Sequence, residues 1–172
     1  MSEFPSAYLL TFSTYGTRLH GDERGSVNRE RNGWEEPMLL HNLAWSAAEA
    51  GTMKQPPYVI DDARRGIITD AIKEVCEFRG WSLLASNVRS NHIHVIVQAF
   101  VRPERVVGDL KMMASRRLAE KLHESRARVR WTRHGSTRYL WTPESVGVAV
   151  RYVVDEQGAQ LEAYENTGEI DL

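Results

Sequence analysis

The sequence predicts an α+β domain with a split βαβ, ferredoxin-like core: an antiparallel sheet with helices on one face and a further helix at its C-terminal end. Three observations point there. Strand-like and helix-like segments follow one another as strand–helix–strand–strand–helix–strand, which is the split βαβ order. The main helix-like segments each carry one apolar stripe at helical spacing, so each has one face to bury. A chain of 172 residues, 42% of them hydrophobic, suits a single domain (residues 1–172) with its own core.

The first strand is Tyr8 to Tyr15, a β-branched, aromatic and apolar run that Gly16 ends. A polar segment from Thr17 to Pro37 reads as a long loop, and loops of that length in compact domains are often functional. Within it, Gly21-Asp22 suits an Asp-capped turn; the other reading is that His20 and Asp22 shape a site. Residues 41–54, with Leu43, Ala44, Ala47, Ala48 and Met53, suit a short helix that Pro56-Pro57 stops. Asp61 or Asp62 then caps a helix running to about Arg79, with Ile67, Ile68, Ala71, Ile72, Val75 and Cys76 on its apolar stripe and Gly80 just past its end. Cys76 falls in that stripe and is read as a core residue, not a nucleophile.

Trp81 to Val88 and His92 to Ala99 form two strands of a hairpin about the tight turn Arg89-Ser90-Asn91. Pro103 opens the next helix, whose apolar side holds Val106, Val107, Leu110, Met113, Ala114 and Leu118 and whose other side holds Lys111, Arg116, Arg117 and Lys121. Arg126 to Arg138 reads as a basic loop in which Trp131 lies among Arg128, Arg130 and Arg133. Basic side chains beside an aromatic can track phosphates and stack a base; alternatively Trp131 plugs the core where the loop crosses it. Tyr139-Leu140-Trp141 is a short strand, Thr142 caps the last helix with Pro143 in its first turn, and Gly158 ends it. The core therefore spans about residues 8–158, followed by an acidic tail at about 159–172.

Net charge is −1, which alone argues against a nucleic-acid binder. The average hides an asymmetry: residues 102–138 hold eleven Lys/Arg against four Asp/Glu, and residues 155–172 hold six acids and no Lys/Arg. A basic contact surface with an acidic tail fits that split. Cys76 is the only cysteine, which excludes a disulfide framework and a cysteine zinc cluster and suits a reducing cytosol. No apolar run is long enough to span a membrane, and no secretory leader is expected at the N-terminus.

The chemistry gathers at Asn91-His92-Ile93-His94-Val95-Ile96-Val97. Side chains alternate along a strand, so His92 and His94 share one face and Ile93, Val95 and Val97 the other. Two imidazoles about 7 Å apart along one strand suit two ligands of one divalent metal. In the last helix, Tyr152 lies off the stripe of Val146, Ala149, Val150 and Val153, so that stripe can pack while the tyrosine faces a cleft. A tyrosine hydroxyl can act as a nucleophile and form a covalent intermediate.

His-Ile-His in this setting resembles the HUH motif of single-tyrosine transposases and rolling-circle nucleases. Further segments are similar to the REP-associated tyrosine transposase branch: Thr14-Tyr15-Gly16-Thr17 leading to His20-Gly21-Asp22, Asn87-Val88-Arg89, Arg133 through Trp141, and Tyr152 ahead of Gln157-Gly158. The resemblance implies metal-dependent cleavage and transfer of single-stranded DNA, with a hairpin, through a 5′-phosphotyrosine at Tyr152. It implies Mg²⁺ or Mn²⁺ on His92 and His94, with a polar ligand one helical turn after the tyrosine. Glu156 lies roughly 40° round the helix from Tyr152 and Gln157 roughly 140°. Geometry favours Glu156 and resemblance favours Gln157. DNA contact is expected from Arg116, Arg117, Arg128, Arg130, Trp131 and Arg133. The implied setting is the bacterial cytoplasm, at the nucleoid, and relatives include both monomers and homodimers.

Two other readings compete. One is a catalytically silent nucleic-acid-binding module, since RNA-recognition domains share the sheet order, although the third strand carries histidines where stacking aromatics belong. The other is a zinc hydrolase using His92, His94 and His20, for which no Glu-bearing zinc motif is visible.

Overall fold

The computed structural model describes residues 4–17, 51–155 and 163–166. Its elements are β1 (Ala7–Thr14), α1 (Asp62–Arg79), β2 (Ser82–Val88), β3 (His92–Gln98), α2 (Pro103–Leu122), β4 (Trp131–Leu140), α3 (Pro143–Asp155) and β5 (Ala163–Glu165). The strands form one antiparallel sheet in the order β4-β1-β3-β2-β5, the split βαβ arrangement with one added edge strand.

Local chemistry sets the element ends. Asp61 caps α1, its carboxylate accepting from the Arg64 amide at 2.9 Å. Gly80 stops the helix with φ 67°, a left-handed conformation that costs glycine little, and Trp81 N–H then returns to the Cys76 carbonyl at 2.9 Å. The β2–β3 turn closes where Arg89 N–H donates to the His92 carbonyl at 2.8 Å. At α3, the Ser145 amide donates to Thr142 Oγ1 at 3.2 Å, the expected cap.

Strand alternation sends side chains to two cores. Tyr8, Leu10 and Phe12 of β1 join Ile93, Val95 and Val97 of β3 beneath α1 and α2. The opposite face packs Ala7, Leu84, Ala85, Ile96 and Leu140 against Val146, Ala149 and Val153 of α3. Two helices therefore share one face as expected, and the tyrosine-bearing helix covers part of the other. Cys76 is buried in the first core, where desolvation pushes its thiol up to about 12. Among the described residues, no helix is long and apolar enough to cross a membrane.

Two expectations are corrected. Of the segment expected to be a basic loop, Trp131 to Arg138 join Tyr139 and Leu140 of the expected short strand in one ten-residue strand, β4. It is an edge strand whose middle, Arg133 to Ser136, is exposed, so the apolar alternation that marks half-buried strands is missing. The expected acidic tail is not wholly a tail: Ala163–Glu165 pair with β2 as β5, and Tyr164 packs on the core with Lys73 Nζ 4.7 Å from its ring centre. The loop beyond Thr17 with His20 and Asp22, most of the expected 41–54 helix, and Glu156, Gln157 and Gly158 lie outside the described residues.

Candidate active site

The histidines stand in the centre of the sheet. In β3, His94 lies opposite Thr11 of β1 and Asn87 of β2, and His92 lies opposite Ser13. Thr11 is in turn opposite Ser136 of β4, so Ser136, Thr11, His94 and Asn87 form one row across four strands. The two imidazole rings are 4.8 Å apart, edge to face at 79°. Twist and side-chain tilt bring them closer than strand spacing alone, near enough for both to reach one ion.

Each ring uses its Nδ1 in a hydrogen bond. His94 Nδ1 is 2.8 Å from Thr11 Oγ1, and His92 Nδ1 is 2.7 Å from Asn91 Oδ1. Such bonds fix ring orientation and, where Nδ1 carries the proton, make Nε2 the metal-donating atom. His94 is only 7% exposed, so its hydrogen bond works in a largely dry setting.

Tyr152 reaches this face from α3. Its neighbours Ala149 and Val153 are buried, whereas Tyr152 is 40% exposed. Its ring lies 5.8 Å from that of His94 at 73°. A strand pair and a helix distant in sequence thus converge on one surface, and they do so because Val146, Ala149 and Val153 seat α3 beside Ile96.

Arg116, Arg117, Arg128 and Arg130 do not converge there. Arg116 pairs with Glu120, and Arg117 with Glu74 and Glu120, on α2 across the sheet from Tyr152. Hydrogen bonds from these arginines hold the Glu74 and Glu120 carboxyls below their ordinary range. Arg128 donates to Gln55 Oε1 at 2.8 Å and to the Pro56 and Pro57 carbonyls at 2.7 and 3.1 Å. Arg130 and Trp131, expected at DNA, are engaged inside the chain. Arg130 is 3% exposed and donates to Glu124 at 3.0 Å and to the Arg128 and Ser125 carbonyls. Trp131 donates its indole N–H to Ser115 Oγ at 2.8 Å and meets Phe12 edge-on, which is the core-plug alternative. Arg133 remains exposed on β4.

A further arginine, Arg138, lies on the histidine face. Arg138 pairs with Leu9, which packs with the α3 core beside Ile96. Sequence reasoning passed over its role because the face of β4 becomes readable only with its register. Thr11 and Asn91 were missed for a similar reason: nothing in an isolated Thr or Asn says which ring it will meet.

The fold and this site define the class of the protein: an α+β domain with an in-line histidine pair facing a helix-borne tyrosine. Residues 52–154 match the family described as transposase IS200-like, a span that includes both histidines and Tyr152. The chain belongs to this IS200-like transposase family, whose members act on DNA. Among solved structures it is similar to a REP-associated tyrosine transposase bound to a REP hairpin, at 12% identity and TM-score 0.49, covering 91% of this chain and 72% of that one. It is also similar to a candidate transposase from Deinococcus radiodurans R1, at 13% identity and TM-score 0.49, covering 92% of this chain and 95% of that one. No curated protein matches the chain.

Proposed function

We propose that this chain, acting as one domain, cuts and rejoins single-stranded DNA that carries a hairpin, with Tyr152 as nucleophile. The observation that carries this reading is the Tyr152 ring 5.8 Å from His94 on one sheet face, in a chain of transposase type. The Tyr152 phenolic oxygen attacks the phosphorus; the Oη–P bond forms as the bond from phosphorus to the 3′ oxygen breaks. The products are a 5′-phosphotyrosine and a free 3′-hydroxyl. A phenol leaves more readily than a sugar hydroxyl, so the linkage can be resealed onto another 3′ end without ATP.

A divalent cation, Mg²⁺ or Mn²⁺, fits the donors among the described residues only in part. His92 and His94 supply two nitrogens, and among the described residues no group of three His, Cys, Asp or Glu could hold a metal. The third donor is proposed from Glu156 or Gln157, just past the described end of α3. When bound, such an ion polarises a phosphate oxygen as a Lewis acid. Thr11 and Asn91 orient the two rings, α3 presents the tyrosine, and Arg138 and Arg133 are offered as phosphate contacts. Arg116, Arg117 and Arg128 could add to DNA contact only by giving up bonds they already make within the chain.

The test is a panel of single-stranded hairpins incubated with Mn²⁺ or Mg²⁺ and run on a denaturing gel. A covalent protein–DNA adduct is expected from the wild type and none from Tyr152→Phe, with DNA binding retained. Cleavage that leaves no protein on the DNA would point to activated water instead, and binding without cleavage would make the chain a silent nucleic-acid module.

A further inference from the structure

We infer that Asn87 is a positioning residue for Tyr152; the inference rests on the role proposed for that tyrosine. Asn87 stands on β2 directly opposite His94. Its side chain is buried, with 2% of the residue exposed, and its Nδ2 donates to the Val153 carbonyl at 2.8 Å. One amide therefore ties the strand beside the histidine to the peptide next to the tyrosine.

The apolar contacts of Val146, Ala149 and Val153 hold α3 on the sheet, but burial is non-directional. A helix held by such contacts alone can shift along its axis or turn about it with little loss. A hydrogen bond has a preferred length and direction. The bond at Val153 fixes both the height and the rotation of the last turn of α3, and Tyr152 is part of that turn. A small rotation would carry its ring away from His94, because the tyrosine projects from the helix while Val153 lies against the sheet.

A second observation separates placement from stability. The Oδ1 of Asn87 is buried and has no hydrogen-bond partner among the described residues. A buried, unpaired carbonyl oxygen is destabilising, and an apolar side chain would avoid it. Ala85 and Leu84 of the same strand serve the α3 core in that apolar way. Asn87 departs from them and keeps an orphan oxygen in return for a directed bond to α3, the pattern expected where function sets the side chain.

The test uses the full chain with Asn87→Leu and Asn87→Asp. The first removes the donor and the orphan oxygen together; the second keeps the shape and removes the donor. Hydrogen exchange over residues 149–155, Mn²⁺ and hairpin affinity, melting temperature and single-turnover adduct formation are measured. Exchange in the last turn of α3 should quicken in both variants. Metal and DNA affinity should stay within about twofold while the adduct rate falls roughly ten- to hundredfold, the cost of a misplaced reacting atom. Asn87→Leu should melt no lower than the wild type. Unchanged exchange, or a lower melting temperature with an unchanged rate per folded molecule, overturns the inference. If the wild type forms no adduct at Tyr152, the proposed nucleophile fails; a wild-type adduct with unaltered variants defeats Asn87 alone.

Discussion

Thr11 decides much about His94 through one hydroxyl. Its Oγ1 lies 2.8 Å from Nδ1, so removing it frees the ring to turn and changes which nitrogen faces the site. Thr11→Val keeps the shape and should weaken Mn²⁺ binding by about 10- to 100-fold in calorimetry, with the fold intact. An unchanged affinity would mean that His94 is not a ligand oriented by Nδ1. Glu124 is the corresponding residue for stability. Burial pushes its carboxyl up, but hydrogen bonds from Tyr58, Arg64 and Arg130 outweigh that and hold it below the ordinary 4.5. A depressed folded-state value means that the stabilisation is complete above about pH 4.5 and is lost as pH falls through the folded value. Glu124→Gln should therefore destabilise by about 3 kcal/mol at neutral pH, because it leaves buried Arg130 with a weaker partner. Denaturant titrations across pH should show the gap between variant and wild type closing on acidification; a gap that stays constant would remove the ion pair as its cause. At this scale His92, His94 and Tyr152 were legible, since each is defined by a local period. Arg130 was not, because a guanidinium reads the same in sequence whether water or Glu124 surrounds it.

The elements were legible wherever one face of a segment is buried and the other wet. The α1 helix, with its Asp61 cap and Gly80 stop, and the β2–β3 hairpin follow directly from spacing and turn chemistry. The β4 strand was not legible, because an edge strand satisfies its backbone on one side and presents polar side chains in its middle. Its register depends on a close approach at Gly135. A Cβ there would lie 2.6 Å from the Thr11 carbonyl oxygen and 3.2 Å from Phe12 Cβ. The first contact is with backbone, which cannot swing aside as a side chain can. Gly135→Ala should push β4 off β1 and destabilise by about 1–3 kcal/mol, the usual cost of overpacking. Because Thr11 orients His94, the same shift should weaken Mn²⁺ binding as well. Calorimetry and thermal melting of this one variant check both effects; full stability with intact metal affinity would show that β4 tolerates the extra carbon and that its register is set elsewhere.

At the scale of the whole molecule, the charge asymmetry was legible but its use was not. The basic residues of 102–138 are spread across both faces, and several are paired within the chain, Arg116 with Glu120, Arg117 with Glu74 and Arg130 with Glu124. Such pairs contribute little to a phosphate-binding field, because each cation already has its anion. The Arg138 side of β4 faces the same way as His94 and Tyr152, whereas α2 lies across the sheet. A strand of DNA held at Tyr152 should therefore be met by Arg138, not by Arg128 or Arg130. Affinity for single strands should fall with salt at a slope of about −0.7 per phosphate contact. Arg138→Glu should flatten that slope by about one contact and lower affinity. Arg130→Gln should do the reverse, lowering stability through the loss of its buried pair with Glu124 and leaving the slope of the folded protein alone. Arg128→Glu separates the two paths: its guanidinium is tied to Gln55 and the Pro56 and Pro57 carbonyls, so reversal should loosen that segment without changing the slope. If Arg128→Glu flattens the salt dependence and Arg138→Glu does not, the DNA runs over the α2 face, and the strand cut at Tyr152 must pass round the β4 edge to reach it.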